Sequence, residues 1–152
     1  MSAKVRLGDI AEIRTERGYA YAQVTHITGD GELLRVLHGL HASPVPEPQT
    51  LVCGPTQFLT FFPLRRTRSS DIRVVGRSKV PSPARAFPLF RVPGLRDEVT
   101  GQVSAWWLYD GLEEWKVGSL TDDQRRLPIR GSCSDLLLKE RIAAGWRHED
   151  EV

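Results

Sequence analysis

The chain has 152 residues, 40% of them hydrophobic and 26% charged, which suits a single domain with its own core. It contains no long apolar run and no charged-then-apolar leader, so the sequence argues against a membrane span or a secretory signal and predicts a cytoplasmic protein. The net charge of +2 conceals a basic middle, with −1 over residues 1–63, +8 over 64–96 and −5 over 97–152.

Gly8-Asp9 opens a run, Ile10-Ala11-Glu12-Ile13-Arg14, that alternates apolar and polar as a half-buried strand does. Arg17-Gly18 reads as a turn, and Tyr19–Ile27 as a second strand with Ala20, Ala22, Val24 and His26 on one face. Thr28-Gly29-Asp30-Gly31-Glu32 is a hairpin signal, because glycine tolerates the positive φ of a tight turn. Leu33–His38 is the returning strand.

Four prolines (Pro44, Pro46, Pro48, Pro55) make 39–56 a loop. Gln57–Phe62 is a short strand closed by Pro63, residues 64–71 are a helical turn or basic loop, and Ile72–Val75 is another strand. The proline-rich stretch 79–94 is expected to be ordered, because Phe87, Leu89 and Phe90 gain from burial. Val103–Tyr109 and Glu114–Val117 read as strands around an Asp110-Gly111 turn. Thr121-Asp122-Asp123-Gln124 carries a capping-box pattern for a short helix stopped by Pro128. Ser134 or Asp135 caps a final helix that buries Leu138 and Ile142 and stops at Gly145. These elements predict one α+β domain over residues 1–152. It is mainly β, with a bent antiparallel sheet or small SH3-like barrel at the N-terminus and a C-terminal helix.

No catalytic motif stands out. His26, His38 and His41 are the candidates for holding a metal or activating water. A turn centred on Asp30 sets His38 opposite Ala22 or Gln23. His26 then lies roughly 10–13 Å further along the strand at about 3.3 Å per residue. Only His38 and His41 stay close, spaced H-x-x-H without an accompanying Glu, Asp or Cys set, so neither metal nor cofactor is expected. Cys53 and Cys133 match no metal or redox spacing and read as reduced thiols. Arg130 near Cys133 is a device that lowers a thiol pKa, whereas burial raises it. Ser134-Asp135 fits a helix cap better than a nucleophile elbow. Glu113 and Glu114 point to opposite faces of a strand and make a poor acid/base pair.

Arg65, Arg66, Arg68, Arg73, Arg77 and Lys79 form a basic cluster near Phe61 and Phe62, which is the signature of single-strand binding if the rings are exposed. An apolar strand turns those rings inward, and the near-neutral total charge disfavours nucleic acid. A plainer reading folds the basic segment against the acidic C-terminal third. Trp106 and Trp107 face opposite sides of a strand, so one is core and the other a candidate partner anchor unless a helix covers it.

The order of several motifs resembles a family of bacterial immunity proteins from polymorphic toxin systems. The motifs are Gly8-Asp9-Ile10 with Ile13, Gly18-Tyr19-Ala20-Tyr21 with Val24, Phe87-Pro88-Leu89-Phe90, Trp107-Leu108-Tyr109-Asp110-Gly111, Leu127-Pro128, Leu137 and Gly145-Trp146. The resemblance implies a cytoplasmic protein that binds and silences a cognate protein toxin, with no membrane or cofactor involved. Arg65, Arg66 and Arg68, with Trp106 or Trp107, are then the contact residues expected from charge and anchoring. The family name has also been attached to phosphotriester hydrolysis, an alternative in which His26, His38 and His41 handle water. A nucleic-acid-binding small barrel is a second alternative. Gly8-Asp9-Ile10 alone also looks like the start of toxin ribonucleases. Nothing in the sequence fixes an oligomeric state.

Overall fold

Alternation of apolar and polar residues from Asp9 onward produces a strand meander in the computed structural model, which describes residues 4–151. Its strands are β1 (Asp9–Thr15), β2 (Gly18–Thr28), β3 (Gly31–Leu37), β4 (Thr56–Phe62) and β5 (Ile72–Arg77), joined antiparallel in the order β4-β3-β2-β1-β5. Among the described residues no ladder joins β4 to β5, so the sheet is bent and open. Residues 4–86 and 132–146 form one compact unit, and 87–131 with 147–151 form another. The protein is mainly β with a C-terminal helix, as the sequence predicts.

Both faces of the sheet are buried. On one face Ala11, Ile13, Ala20, Ala22, Val24, Leu34, Val36, Phe58 and Phe62 pack with Leu138 and Ile142 of helix α1 (Asp135–Ala144). Each large side chain withdrawn fully from water contributes about 1.5–3 kcal/mol. Ser134 caps α1 by accepting the Leu137 N–H at 3.1 Å, and Gly145 closes it at φ 68°. On the other face Ile10, Tyr21, Leu37 and Val52 are covered by Tyr19, Val45, Leu51 and Val75. The proline-rich loop is held there by buried Arg35, which donates from Nη1 to the Gly54 carbonyl at 3.1 Å and to Thr56 Oγ1 at 3.2 Å, and from Nη2 to the Val52 carbonyl.

Gly8 shows why its motif needs glycine. Its φ is +87°, and a Cβ would sit 2.4 Å from the Ser78 carbonyl oxygen. Gly8 N–H donates to Val24 O at 2.8 Å and its carbonyl accepts from Ser78 at 3.0 Å, which ties β1 to β2 and β5 at once.

The second unit carries the sheet β6 (Phe90–Pro93), β7 (Trp106–Tyr109), β8 (Glu114–Gly118), antiparallel and in that order. β6 was not expected as a strand: Pro88 and Pro93 suggest irregular chain, but Pro93 sits at the strand end, where a missing N–H costs least. Phe87, Phe90 and Tyr109 form an aromatic cluster with centroids 5.6–6.3 Å apart. Gly111, at φ +99°, lies against it, since a Cβ would be 2.7 Å from the Phe87 ring. The Thr121/Gln124 capping box forms reciprocally at 2.9 and 3.2 Å, yet it opens only a 3-10 turn, Gln124–Arg126, before Pro128. Among the described residues no helix is long and apolar enough to cross a membrane.

Candidate partner-binding surface

The segment between β4 and β5 is the basic loop of the sequence, and its backbone is built rather than loose. Leu64 is buried in the main core. The N–H groups of Arg66 and Thr67 both donate to Pro63 O at 2.9 Å. Arg65 N–H donates to Glu32 Oε1 at 3.3 Å. Ser69 N–H reaches Thr67 Oγ1 and Asp71 N–H reaches Ser69 Oγ. From this frame the side chains of Arg65, Arg66 and Arg68 project into solvent, with no ion pair among the described residues.

The next two arginines are matched. Arg73 meets Glu12 at 3.3 Å and Arg77 meets Asp9 at 2.8 Å, each carboxylate being buried. Asp71, the only acid in 64–96, is drawn to α1 by Lys139 at 3.0 Å. Among the described residues, the expectation that the basic segment folds against the acidic C-terminal third is met by Arg96, which lies 3.9 Å from Glu151, and by Arg91, on whose charge Glu151 and Glu149 act. For Arg73 and Arg77 the neutralising acids come from β1.

Asp71 also borders a groove of about 730 Å³, lined by Arg14, Arg17, Leu136, Lys139 and Glu140. Arg14 and Arg17 are exposed, and Leu136 offers an apolar side chain 62% exposed. Arg68, three residues before Asp71, is within about 11 Å of it along the chain. The loop arginines and the groove therefore adjoin on one unit.

Trp106 and Trp107 do face opposite ways. Trp106 is buried under Arg91, whose guanidinium lies 5.1 Å from the ring centroid, and Trp107 is half-buried. The tryptophan with most exposed surface is Trp115 on β8, at 39%. Sequence reasoning did not single it out, although its place in a short strand of charged residues was a signal.

The histidines do not converge. His26 Nδ1 hydrogen-bonds with Thr25 Oγ1 and Nε2 with the Arg85 carbonyl, each at 2.9 Å. His38 is exposed, and His41 sets its ring edge against Tyr21 at 5.7 Å. The β2–β3 register also differs from the expected one: the turn centres between Gly29 and Asp30, which sets His26 opposite Leu33. A bulge between Val24 and His26 then shifts the pairing by one more residue, so that Ala22 faces Val36 and Gln23 faces Arg35. Among the described residues no three of His, Cys, Asp and Glu are grouped to hold a metal ion.

Cys133 is buried, and burial pushes its thiol pKa up, partly offset by a hydrogen bond from Thr60 and by Arg141. Arg130 is engaged elsewhere, 3.7 Å over the Tyr109 ring and 2.9 Å from Glu114. Cys53 is exposed, and both thiols are free. Phe61 and Phe62 are 1% and 2% exposed, so neither offers a ring for stacking on a base.

A polar cluster unforeseen from sequence lies under the proline-rich loop. Glu12 Oε2 accepts the Tyr21 hydroxyl at 2.8 Å, and that hydroxyl accepts the Val45 N–H at 2.7 Å. Burial raises the Tyr21 pKa, and the Val45 hydrogen bond opposes the rise. The cluster fastens loop to sheet, and its members are inside rather than on a cleft.

No family model, no curated protein and no solved structure matches this chain.

Proposed function

We propose that the protein works by stoichiometric binding and neutralises a cognate bacterial toxin in the cytoplasm, docking an acidic face of that toxin on Arg65, Arg66 and Arg68. One observation carries the reading. Three arginines are presented on a hydrogen-bonded loop with no ion pair among the described residues, while Arg73 and Arg77 just beyond are matched by buried acids. A pre-ordered cationic loop loses little entropy on binding and speeds encounter with an acidic surface. Leu136 in the adjoining groove supplies the apolar contact that charge alone lacks. Two free cysteines suit a reducing compartment. The motif order that resembles immunity proteins points the same way, and the motifs it uses are structural ones such as Gly8 and Gly111.

The test is affinity capture from native extract at low and moderate salt, with the wild-type chain and with Arg65→Glu/Arg66→Glu as baits. The expected result is one stoichiometric protein partner, weakened by salt and lost with the double variant. The captured partner's toxicity should be silenced by the wild-type chain in a growth assay. A partner retained equally by both baits removes the arginines from the interface. A partner that is not toxic removes the immunity reading.

A further inference from the structure

Arg91 on β6 is 1% exposed, an unusual place for a guanidinium. Its Nε donates to the Leu127 carbonyl at 2.9 Å, and Nη2 donates to the carbonyls of His148 and Glu151. Those acceptors are neutral. Nη1 donates to no described residue, and no carboxylate stands within ion-pair distance of the side chain among them. Burial lowers the Arg91 pKa, and the carboxylates of Glu151 and Glu149 oppose that across space, so the charge is only partly compensated among the described residues.

That side chain lines a depression of about 340 Å³. Trp106 and Leu120 give it an apolar wall, Arg125 adds a second cation, and Glu149 and Glu151 add two acids. Two positive and two negative groups leave the lining neutral, so a ligand of large net charge is disfavoured. A phosphate dianion has nothing to offer the glutamates. A simple amine has nothing to offer Nη1. The volume is at the small end of ligand pockets, about 300–1,000 Å³.

We propose that this depression binds a free α-amino acid with an apolar side chain. Its carboxylate meets Arg91 Nη1 and Arg125, its ammonium faces Glu149 and Glu151, and its side chain lies on Trp106 and Leu120. The site uses no residue of the arginine loop or its groove and does not depend on toxin binding.

Calorimetric titration of the whole chain tests it with four probes: L-leucine, 4-methylpentanoate, 3-methylbutylamine and inorganic phosphate. The expected result is saturable binding of L-leucine, one per chain, with each half-molecule and phosphate at least tenfold weaker. Arg91 also anchors backbone, so Arg125→Gln and Glu149→Gln, both at exposed positions, carry the mutational arm. Each should weaken L-leucine at least tenfold at an unchanged melting temperature. Absence of saturable L-leucine binding at millimolar concentration overturns the proposal. So does phosphate or 4-methylpentanoate binding as tightly as L-leucine, or an affinity unmoved by both substitutions.

Discussion

The arginines of β5 and those of the loop before it belong to one basic block in the sequence, yet they have opposite surroundings. Arg73 and Arg77 stand directly across the β1–β5 ladder from Glu12 and Asp9, so strand register delivers a carboxylate to each. Arg65, Arg66 and Arg68 lie where the chain has no ladder partner; the Glu32 carboxylate takes the Arg65 backbone N–H, and among the described residues no acid pairs with their side chains. The difference teaches that a charge block is not one functional feature. Arginines on paired strands are structural neighbours of buried acids; those on an ordered loop are free to meet another molecule.

The largest expected effect attacks the register itself. Gly8→Ala adds a Cβ against the Ser78 carbonyl at a positive φ, where neither backbone can yield easily. It should cost about 3 kcal/mol or more in denaturant unfolding. Asp9→Ala comes next. It removes the acceptor of Arg77 Nε and of the Arg6 N–H at 2.9 Å, and should cost about 2 kcal/mol. Arg77 is half exposed and recovers much of its solvation, so most of that loss belongs to the buried end of the pair. If Asp9→Ala proves neutral, the claim that β5 arginines are structural fails.

Lys139→Ala is gentler. It breaks a partly exposed pair and should change stability by less than about 1 kcal/mol in the same assay. Its interest is that it frees the Asp71 carboxylate, which then has the loop arginines as alternative partners. Partner affinity should fall several-fold, measured by surface binding at low salt, if Lys139 helps to keep those arginines unmatched.

How far the sequence spoke varies with the range of the interaction. Helix α1 was legible to its ends, since Ser134, Leu138, Ile142 and Gly145 act within one element. The β2–β3 hairpin was legible as a hairpin, but its register was misplaced: the turn centred between Gly29 and Asp30 accounts for one residue of the slip and the bulge between Val24 and His26 for a second. The pairing of Glu12 with Arg73 was not legible at all. It depends on a ladder between segments about sixty residues apart and on an irregularity that leaves Val75 out of register. Arg91 was hidden for a related reason: within a basic block a buried arginine reads like an exposed one. The loop arginines were the part of the candidate surface that sequence did pick out, and the groove beside them appeared only once β1, α1 and the loop met at Asp71.

The smallest effect on the fold should be the largest on recognition. Arg65→Glu/Arg66→Glu alters two exposed side chains that touch nothing charged among the described residues, so thermal unfolding should not move. Binding to an acidic partner should nevertheless weaken at least tenfold, because two attractions become two repulsions. The informative quantity is the slope with salt. For wild-type, raising ionic strength should slow association steeply, since exposed charges are screened over about 10 Å at 0.1 M. For the variant the slope should flatten or change sign. An equally steep slope in both would place the steering charge elsewhere, and Arg14 and Arg17 on the groove would be next. A weaker complex with unchanged slope would mean the arginines act by contact. Only loss of affinity together with loss of slope fits a loop whose function is its unmatched charge.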